Sequence, residues 1–306
     1  MSYRAIIDIG TNTAHLLVGK IDASGQLHVL DKKRHYTFLG EEGLEVIGAK
    51  AIERLNMALE DFRTITLQYG IKSVLIIATE GLRTASNKRD ITRLFTEVYR
   101  WPYKIITGDE EATYIYTGAL QALETKISSH LVMDIGGGSV EFILARDSKI
   151  IYQKSHPIGI SRLYEQFHVL DPIDQQNIDS MYQHLDEELE LLWNLTASFP
   201  ISPMLIGCAG TFEVLLNHAD MRDPKLRSRK VKSALLFDLM DQVIDKTIDE
   251  RKMVSDLPPE RANYIVVALL LMNYVIKRLD CTELIVSKYA LKEGAIMDHT
   301  LFLAVI

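Results

Sequence analysis

Apolar and polar positions along the chain follow two alternating rhythms. Residues 5–19, AIIDIGTNTAHLLVG, read as an apolar run, an Asp-Ile-Gly, three turn-prone residues and a second apolar run; residues 131–145, LVMDIGGGSVEFILA, repeat the scheme. Short apolar runs bounded by turn residues predict strands. Tyr3 to Asp8 and Ala14 to Lys20 are expected to form a hairpin, and a third strand begins at Leu27 after the Ala23-Ser24-Gly25 turn. The second copy is expected to run His130 to Asp134, Val140 to Ala145 and, after Arg146-Asp147-Ser148, Ile150 to Lys154.

Helical spacing takes over after each meander. Ile52, Leu55, Leu59 and Phe62 form an apolar stripe that Gly70 closes. Residues 73–79 read as a buried strand, and helices are expected over 87–99 and 110–123. In the second half, helices are expected from Gly159, from Pro172, over 233–246, over 259–278 and from Leu291, with short strands at 204–207 and 284–287. Each half thus runs three meandering strands, helix, strand, helix. Repetition at this length outranks local detail. It predicts an α/β protein of two similar domains, 1–122 and 123–306, with the last helix, about 292–306, a candidate to pack back on the first. Ligands of open α/β folds sit at strand carboxyl ends, so two such ends facing each other would make an interdomain cleft.

Composition narrows the picture. With 306 residues, 47% apolar and 25% charged, the chain is that of an ordinary globular protein of about two domains. A net charge of −7 argues against a general nucleic-acid binder, which needs a broad basic footprint. Cys208 and Cys281 lack metal-ligand spacing and read as two buried thiols of a cytoplasmic protein. The start, MSYRAIIDIG, is not a secretory leader. The apolar run 264–276 is too short to span a bilayer, so no membrane partner is expected and the run reads as a buried helix.

The two turns suggest a chemistry. Glycines let the backbone approach a ligand closely, and successive N–H groups can form a concave nest for phosphate oxygens. The neighbouring carboxylate repels phosphate unless a cation lies between, and Mg²⁺ favours one or two carboxylates plus phosphate oxygens and water. Asp8 precedes such a turn, with Thr11, Asn12 and Thr13 as donors. In DIGGGSVE, Asp134 ends one strand and Glu141 begins its partner around Gly136, Gly137, Gly138 and Ser139. The plain alternative is a glycine-rich hairpin with a solvated acid on each side.

DIGTNT (8–13) and DIGGGSVE (134–141) resemble the two phosphate loops of the actin and sugar-kinase superfamily. The remaining motifs narrow the resemblance to the Ppx/GppA family, the exopolyphosphatases and guanosine pentaphosphate phosphatases. They are FLGEEGL (38–44), ATEGLRTASN (78–87), ITGDEEATYIYTGAL (106–120), MDIGGGSVEF (133–142), PIGISRL (157–163), GCAGTFEVL (207–215), LPPERANYI (257–265) and VSKYALKEGAIMD (286–298). The resemblance implies two actin-like (ribonuclease H-like) domains and Mg²⁺-dependent hydrolysis of a terminal phosphoanhydride in their cleft. It puts the catalytic glutamate at Glu111 and the metal-linked acids at Asp134 and Glu141, with Asp8 a further metal candidate. Glu110 and Glu111 also suit a helix first turn on charge grounds alone. Arg83 could clamp a phosphate with two parallel bonds or form a surface ion pair. Gly210 and Thr211 resemble a helix-opening anion turn. Arg162, Lys288 and Lys292 read as distal-phosphate ligands or as solvated salt bridges. The basic run 225–232 reads as a solvated loop or the approach to a helix, or as a guide for a polyanion.

The chain departs from the family at His15, Thr37-Phe38, Ala209, Ala290 and Lys292. An altered substrate or chain-length preference is expected. Polyphosphate is the first expected substrate and guanosine penta- or tetraphosphate the alternative. A superfamily kinase or ATPase, or a phosphonucleotide sensor without turnover, are the readings of other classes. Family members often pair, so the resemblance is compatible with a homodimer.

Overall fold

The structure, a computed structural model, describes residues 3–71, 74–199, 202–221, 223 and 225–303. Two compact units divide the chain: Met1–Gln121 with Ala290–Ile306, and Ala122–Tyr289.

In the first unit, β1 (Tyr3–Ile9), β2 (Thr13–Ile21) and β3 (Leu27–Tyr36) form an antiparallel meander. Helix α1 (Ala49–Gln68) leads to β4 (Leu75–Ala78), which pairs parallel with β1. Helices α2 (Glu80–Thr84) and α3 (Lys88–Arg93) and a π-helical turn (Leu94–Val98) lead to β5 (Tyr103–Ile105), parallel to β4. The sheet order is β3-β2-β1-β4-β5, followed in the chain by α4 (Gly108–Ala122). Ile7, Ile9 and Ile76 from the sheet meet Leu55, Leu59 and Phe62 from α1 in one core. The stripe read from the sequence is therefore the buried face of α1, except for Ile52, which packs at its margin.

The second unit repeats the plan. Strands β6 (Ser129–Ile135), β7 (Val140–Arg146) and β8 (Lys149–His156) form its meander. Helices α5 (Ile160–Phe167), α6 (Gln175–Glu188) and α7 (Glu190–Ala197) precede β9 (Met204–Cys208), parallel to β6. Next come α8 (Ala209–His218), β10 (Ser228–Lys232), α9 (Ala234–Val243), α10 (Ile248–Arg251), a 3-10 turn (Pro259–Arg261), α11 (Ile265–Arg278) and β11 (Glu283–Ser287). The order β10-β11-β9-β6-β7-β8 matches the first sheet with one added edge strand. The run 265–276 of α11 is buried throughout, as expected of an all-round apolar helix. No helix among the described residues is long and apolar enough to cross a membrane.

The chain then returns to the first unit as α12 (Leu291–Met297) and α13 (His299–Leu303). Glycines permit the docking of α12 on α4. A Cβ on Gly118 would lie 2.0 Å from the Ala290 carbonyl oxygen, and one on Gly294 would lie 1.8 Å from that of Tyr114. Glu293 is fully buried there, caps the Ala290 N–H at 2.8 Å and pairs with Lys32 at 2.7 Å and Lys292 at 3.4 Å.

Several elements differ from the sequence reading. The helix expected over 87–99 is α3 plus the π-turn, and a separate short helix, α2, carries Arg83. The helix expected from Pro172 starts at Gln175, where the Asp174 carboxylate caps the Asn177 N–H at 2.8 Å, and it breaks at Leu189. Strand β5 was not anticipated, being three residues long. The basic run 225–232 is neither loop nor helix approach over most of its length: residues 228–232 are the edge strand β10. Its one buried apolar residue, Val231, is too few for a period-two pattern. Ser73, of the strand read over 73–79, and residues 304–306 of the last helix lie outside the described residues. Cys208 is a buried thiol as expected; Cys281 is only partly buried, and no disulfide joins them.

Candidate active site

Each unit opens on the same hairpin. In the first, Asp8 is opposite His15 and Ile9 opposite Ala14, and the turn closes with Gly10 N–H donating to the Thr13 carbonyl at 2.9 Å. In the second, Asp134 is opposite Glu141 and Ile135 opposite Val140, with Gly136 N–H donating to the Ser139 carbonyl at 3.0 Å. Both loops are four residues long and closed by the same bond.

The first loop is gripped by the segment after β3. Gly40 N–H donates to the Thr11 carbonyl at 3.2 Å; Thr37 and Phe38 N–H both donate to the Asn12 carbonyl, at 2.9 and 3.0 Å. In a planar trans peptide, a carbonyl and the N–H of the next residue point opposite ways. The Asn12 and Thr13 amides are therefore turned away from that segment, as a nest requires. Thr11 itself is wedged in protein: it is 3% exposed, and Cβ atoms at Gly40 and Gly81 would lie 2.7 and 3.1 Å from it. His15 Nε2 lies 3.0 Å from the Thr13 hydroxyl.

Two neighbouring glutamates at the start of α4 divide their work. Glu110 accepts from Thr107 N–H at 2.9 Å while the Thr107 hydroxyl accepts from Glu110 N–H at 3.2 Å, a reciprocal cap. Lys104, 2.6 Å away, and that cap hold its carboxyl below the usual range. Glu111 turns inward and is 6% exposed. Arg83 reaches it from α2 at 3.2 Å, donates to the Ile106 carbonyl at 2.7 Å and binds Glu80 through Nε and Nη2 at 3.1 and 2.9 Å. Burial works against the Arg83 charge, but Glu111 and Glu80 outweigh it and hold the guanidinium more firmly protonated. Arg83 is thus a partly buried strut that fixes Glu111, not a surface ion pair.

The second unit concentrates its acids. Asp134 and Glu141 are 7% and 2% exposed and directly opposed across β6 and β7. Glu141 Oε1 accepts from the Ser139 hydroxyl at 2.7 Å and from the Ser155 hydroxyl at 2.6 Å. Ser155 escaped the sequence reading: counting across the 146–149 turn puts Lys154 opposite Glu141, and only a register shift between Leu144 and Ala145 brings Ser155 there on β8. Gly159 also escaped it, although a Cβ there would strike Gly137 O at 2.3 Å, Gly138 C at 2.3 Å and Ser139 N at 2.4 Å. Gly210 and Thr211 open α8 after β9, and the Thr211 hydroxyl donates to the Ile135 carbonyl at 3.2 Å. Among the described residues, no group of three or more His, Cys, Asp or Glu could hold a metal. A pair of hard carboxylates beside a glycine loop is a donor set that fits Mg²⁺, which takes its other ligands from phosphate and water.

Several of the remaining candidate cations have protein partners. Lys288 donates to the Asp223 carbonyl, and Lys292 pairs with Glu293. On β10, Lys230 pairs with Glu283 and Arg229 donates to the Met221 carbonyl at 3.2 Å.

Two α/β units, each starting from a meander with an acid at its first turn, define the actin-like class of phosphate-handling folds. The chain belongs to the Ppx/GppA phosphatase family, whose model matches residues 18–302. It is 26% identical over 309 residues to exopolyphosphatase 2 of Mycobacterium tuberculosis, covering 95% of this chain and 96% of that one. Exopolyphosphatase 1 of Mycobacterium bovis is 23% identical over 300 residues, 95% of this chain and 86% of that one. A solved exopolyphosphatase structure from Cytophaga hutchinsonii matches with a TM-score of 0.89 at 32% identity, covering 100% of this chain and 99% of that one. The Aquifex aeolicus Ppx/GppA enzyme shares the fold, with a TM-score of 0.79 at 23% identity over 96% of this chain and 98% of that one.

Proposed function

We propose that this protein is a phosphoanhydride hydrolase that releases terminal orthophosphate from inorganic polyphosphate, with Mg²⁺ as its metal. The observation that carries the reading is the opposed, buried pair Asp134 and Glu141 flanking a glycine loop, whose amides would serve as a phosphate nest. Asp134 and Glu141 would hold the divalent ion, with Asp8 in the equivalent position of the first hairpin. When bound, that ion supplies charge neutralisation for the phosphate oxygens.

Phosphoryl transfer to water depends on positioning, charge neutralisation and an oriented nucleophile. The Gly137, Gly138 and Ser139 amides would bind phosphate at the second unit's loop, and the Asn12 and Thr13 amides are the corresponding donors of the first unit's loop. Gly210 and Thr211 close the second loop from α8. Glu111 orients the attacking water and accepts its proton, and Arg83 keeps that carboxylate in place. The names of the relatives favour polyphosphate; hydrolysis of guanosine pentaphosphate at its 5′ end uses the same machinery and is the second reading.

The test is phosphate release with Mg²⁺ from polyphosphates of several lengths, guanosine pentaphosphate and ATP. Polyphosphate is expected to turn over fastest. Glu111→Gln should keep its melting temperature and lose about 100-fold or more in kcat, the scale of a removed general base. A fully active Glu111→Gln sinks the assignment of that residue. Asp134→Asn should raise the Mg²⁺ concentration for half-maximal rate by about tenfold or more; an unmoved metal titration removes Asp134 from the metal site.

A further inference from the structure

Arg162 donates from Nε to the Gly138 carbonyl at 2.9 Å. The two residues before it act alike: Ile160 N–H donates to the Gly136 carbonyl at 3.0 Å and Ser161 N–H to the Gly137 carbonyl at 2.8 Å. Three consecutive residues at the start of α5 therefore grip three consecutive carbonyls of the second loop. By peptide planarity, the amides of Gly137, Gly138 and Ser139 then all point away from α5. That is the row of donors a phosphate nest needs.

The three grips are not equivalent. The first two come from the backbone and do not depend on side-chain identity. The third comes from a side chain, and it acts on the peptide joining Gly138 to Ser139. Gly138 has no Cβ to hinder rotation of that peptide. Ser139 is also the residue whose hydroxyl holds Glu141, so a rotated peptide would disturb an amide donor and a carboxylate together.

We propose that Arg162 is a positioning residue: its Nε–H locks the Gly138–Ser139 peptide so that the Ser139 amide faces the terminal phosphate. The inference rests on the hydrolase reading above and adds a residue to it. It requires a donor at the Nε position and does not require the positive charge, which separates it from a role as distal-phosphate ligand.

Glutamine and methionine make the test. Gln Nε2 and Met Cε stand at the same place along the side chain as Arg Nε; the first is a neutral donor and the second donates nothing. With polyphosphate and Mg²⁺, Arg162→Gln is expected to stay within about threefold of the parent kcat. Arg162→Met should lose about tenfold or more in kcat with KM changed less than about threefold, on the scale of one misaligned oxyanion donor. Melting temperatures of both should stay near that of the parent, because α5 keeps its two backbone grips. If both variants lose kcat equally, or both chiefly raise KM, or neither changes, the proposal is overturned. If the parent releases phosphate from no substrate, the hydrolase reading fails separately. The positioning claim is then read from amide shifts during titration with inorganic orthophosphate. The Ser139 amide should respond in the parent and in Arg162→Gln but not in Arg162→Met; equal responses, or none in the parent, overturn it.

Discussion

Gly159 shows how one missing methyl group shapes a site. An added Cβ meets three backbone atoms of the loop within 2.4 Å, and backbone cannot swing aside as a flexible side chain can. Gly159→Ala should therefore push residues 137–139 out of line and cost about tenfold or more in phosphate release, an effect of misplacement rather than of lost chemistry. Its melting temperature should fall by only a few degrees, about 1–3 kcal/mol of overpacking; parent-level kcat would show that the loop can yield. Much at this scale was legible in the sequence, for a physical reason. Asp134, Glu141 and the loop between them are contiguous, so hairpin geometry alone opposes the two acids. Ser155, Gly159, Gly40 and Gly81 reach the loops from distant segments, and contacts of that kind leave no local pattern. Arg83 was legible as important, and Glu80 lies three residues before it on the same helix, but its other partner Glu111 lies on α4, and only folding brings that pair together.

At the scale of elements, α4 and α12 cross where glycine meets backbone in both directions. Gly294→Ala would set a methyl carbon 1.8 Å from the Tyr114 carbonyl oxygen, so the helices must separate. A loss of about 3 kcal/mol or more is expected, at the upper end of overpacking, measured as a lower denaturant midpoint; an unchanged midpoint would mean that α12 contributes little to the unit. The element plan was readable wherever strands were long and apolar, as in β1, β6 and β11, and where a helix carried a stripe or was apolar all round, as in α1 and α11. It failed at β10, whose residues are chosen for an exposed basic edge, and at β5, which is too short to carry any period. Charge on β10 has its own use, because lysines and arginines discourage edge-to-edge pairing with other chains.

For the whole molecule, the first loss of stability on mild acidification is expected at histidines of the second unit. Burial pushes His130, His156 and His168 below the usual imidazole value, and Arg251 adds to the shift at His168. Their stabilising effect is complete above the unfolded value of about 6.5 and is lost as pH falls through their lowered folded values, because the unfolded chain then binds more protons. Each can cost up to about 1.4 kcal/mol per pH unit in that window. Scanning calorimetry from about pH 7.5 to about pH 5 should show a falling melting temperature well before carboxylates titrate. A flat profile would mean that water reaches these imidazoles.

The return of the chain from Tyr289 to Ala290 has a consequence for biosynthesis. A ribosome makes the helix that Gly118 and Gly294 admit only after all of the second unit has been made, so the first unit cannot close until then. Domains usually mature in the order of their synthesis; here the half begun first is finished last. A released chain truncated after Tyr289 should resist protease across the second unit while its amino-terminal stretch is cut.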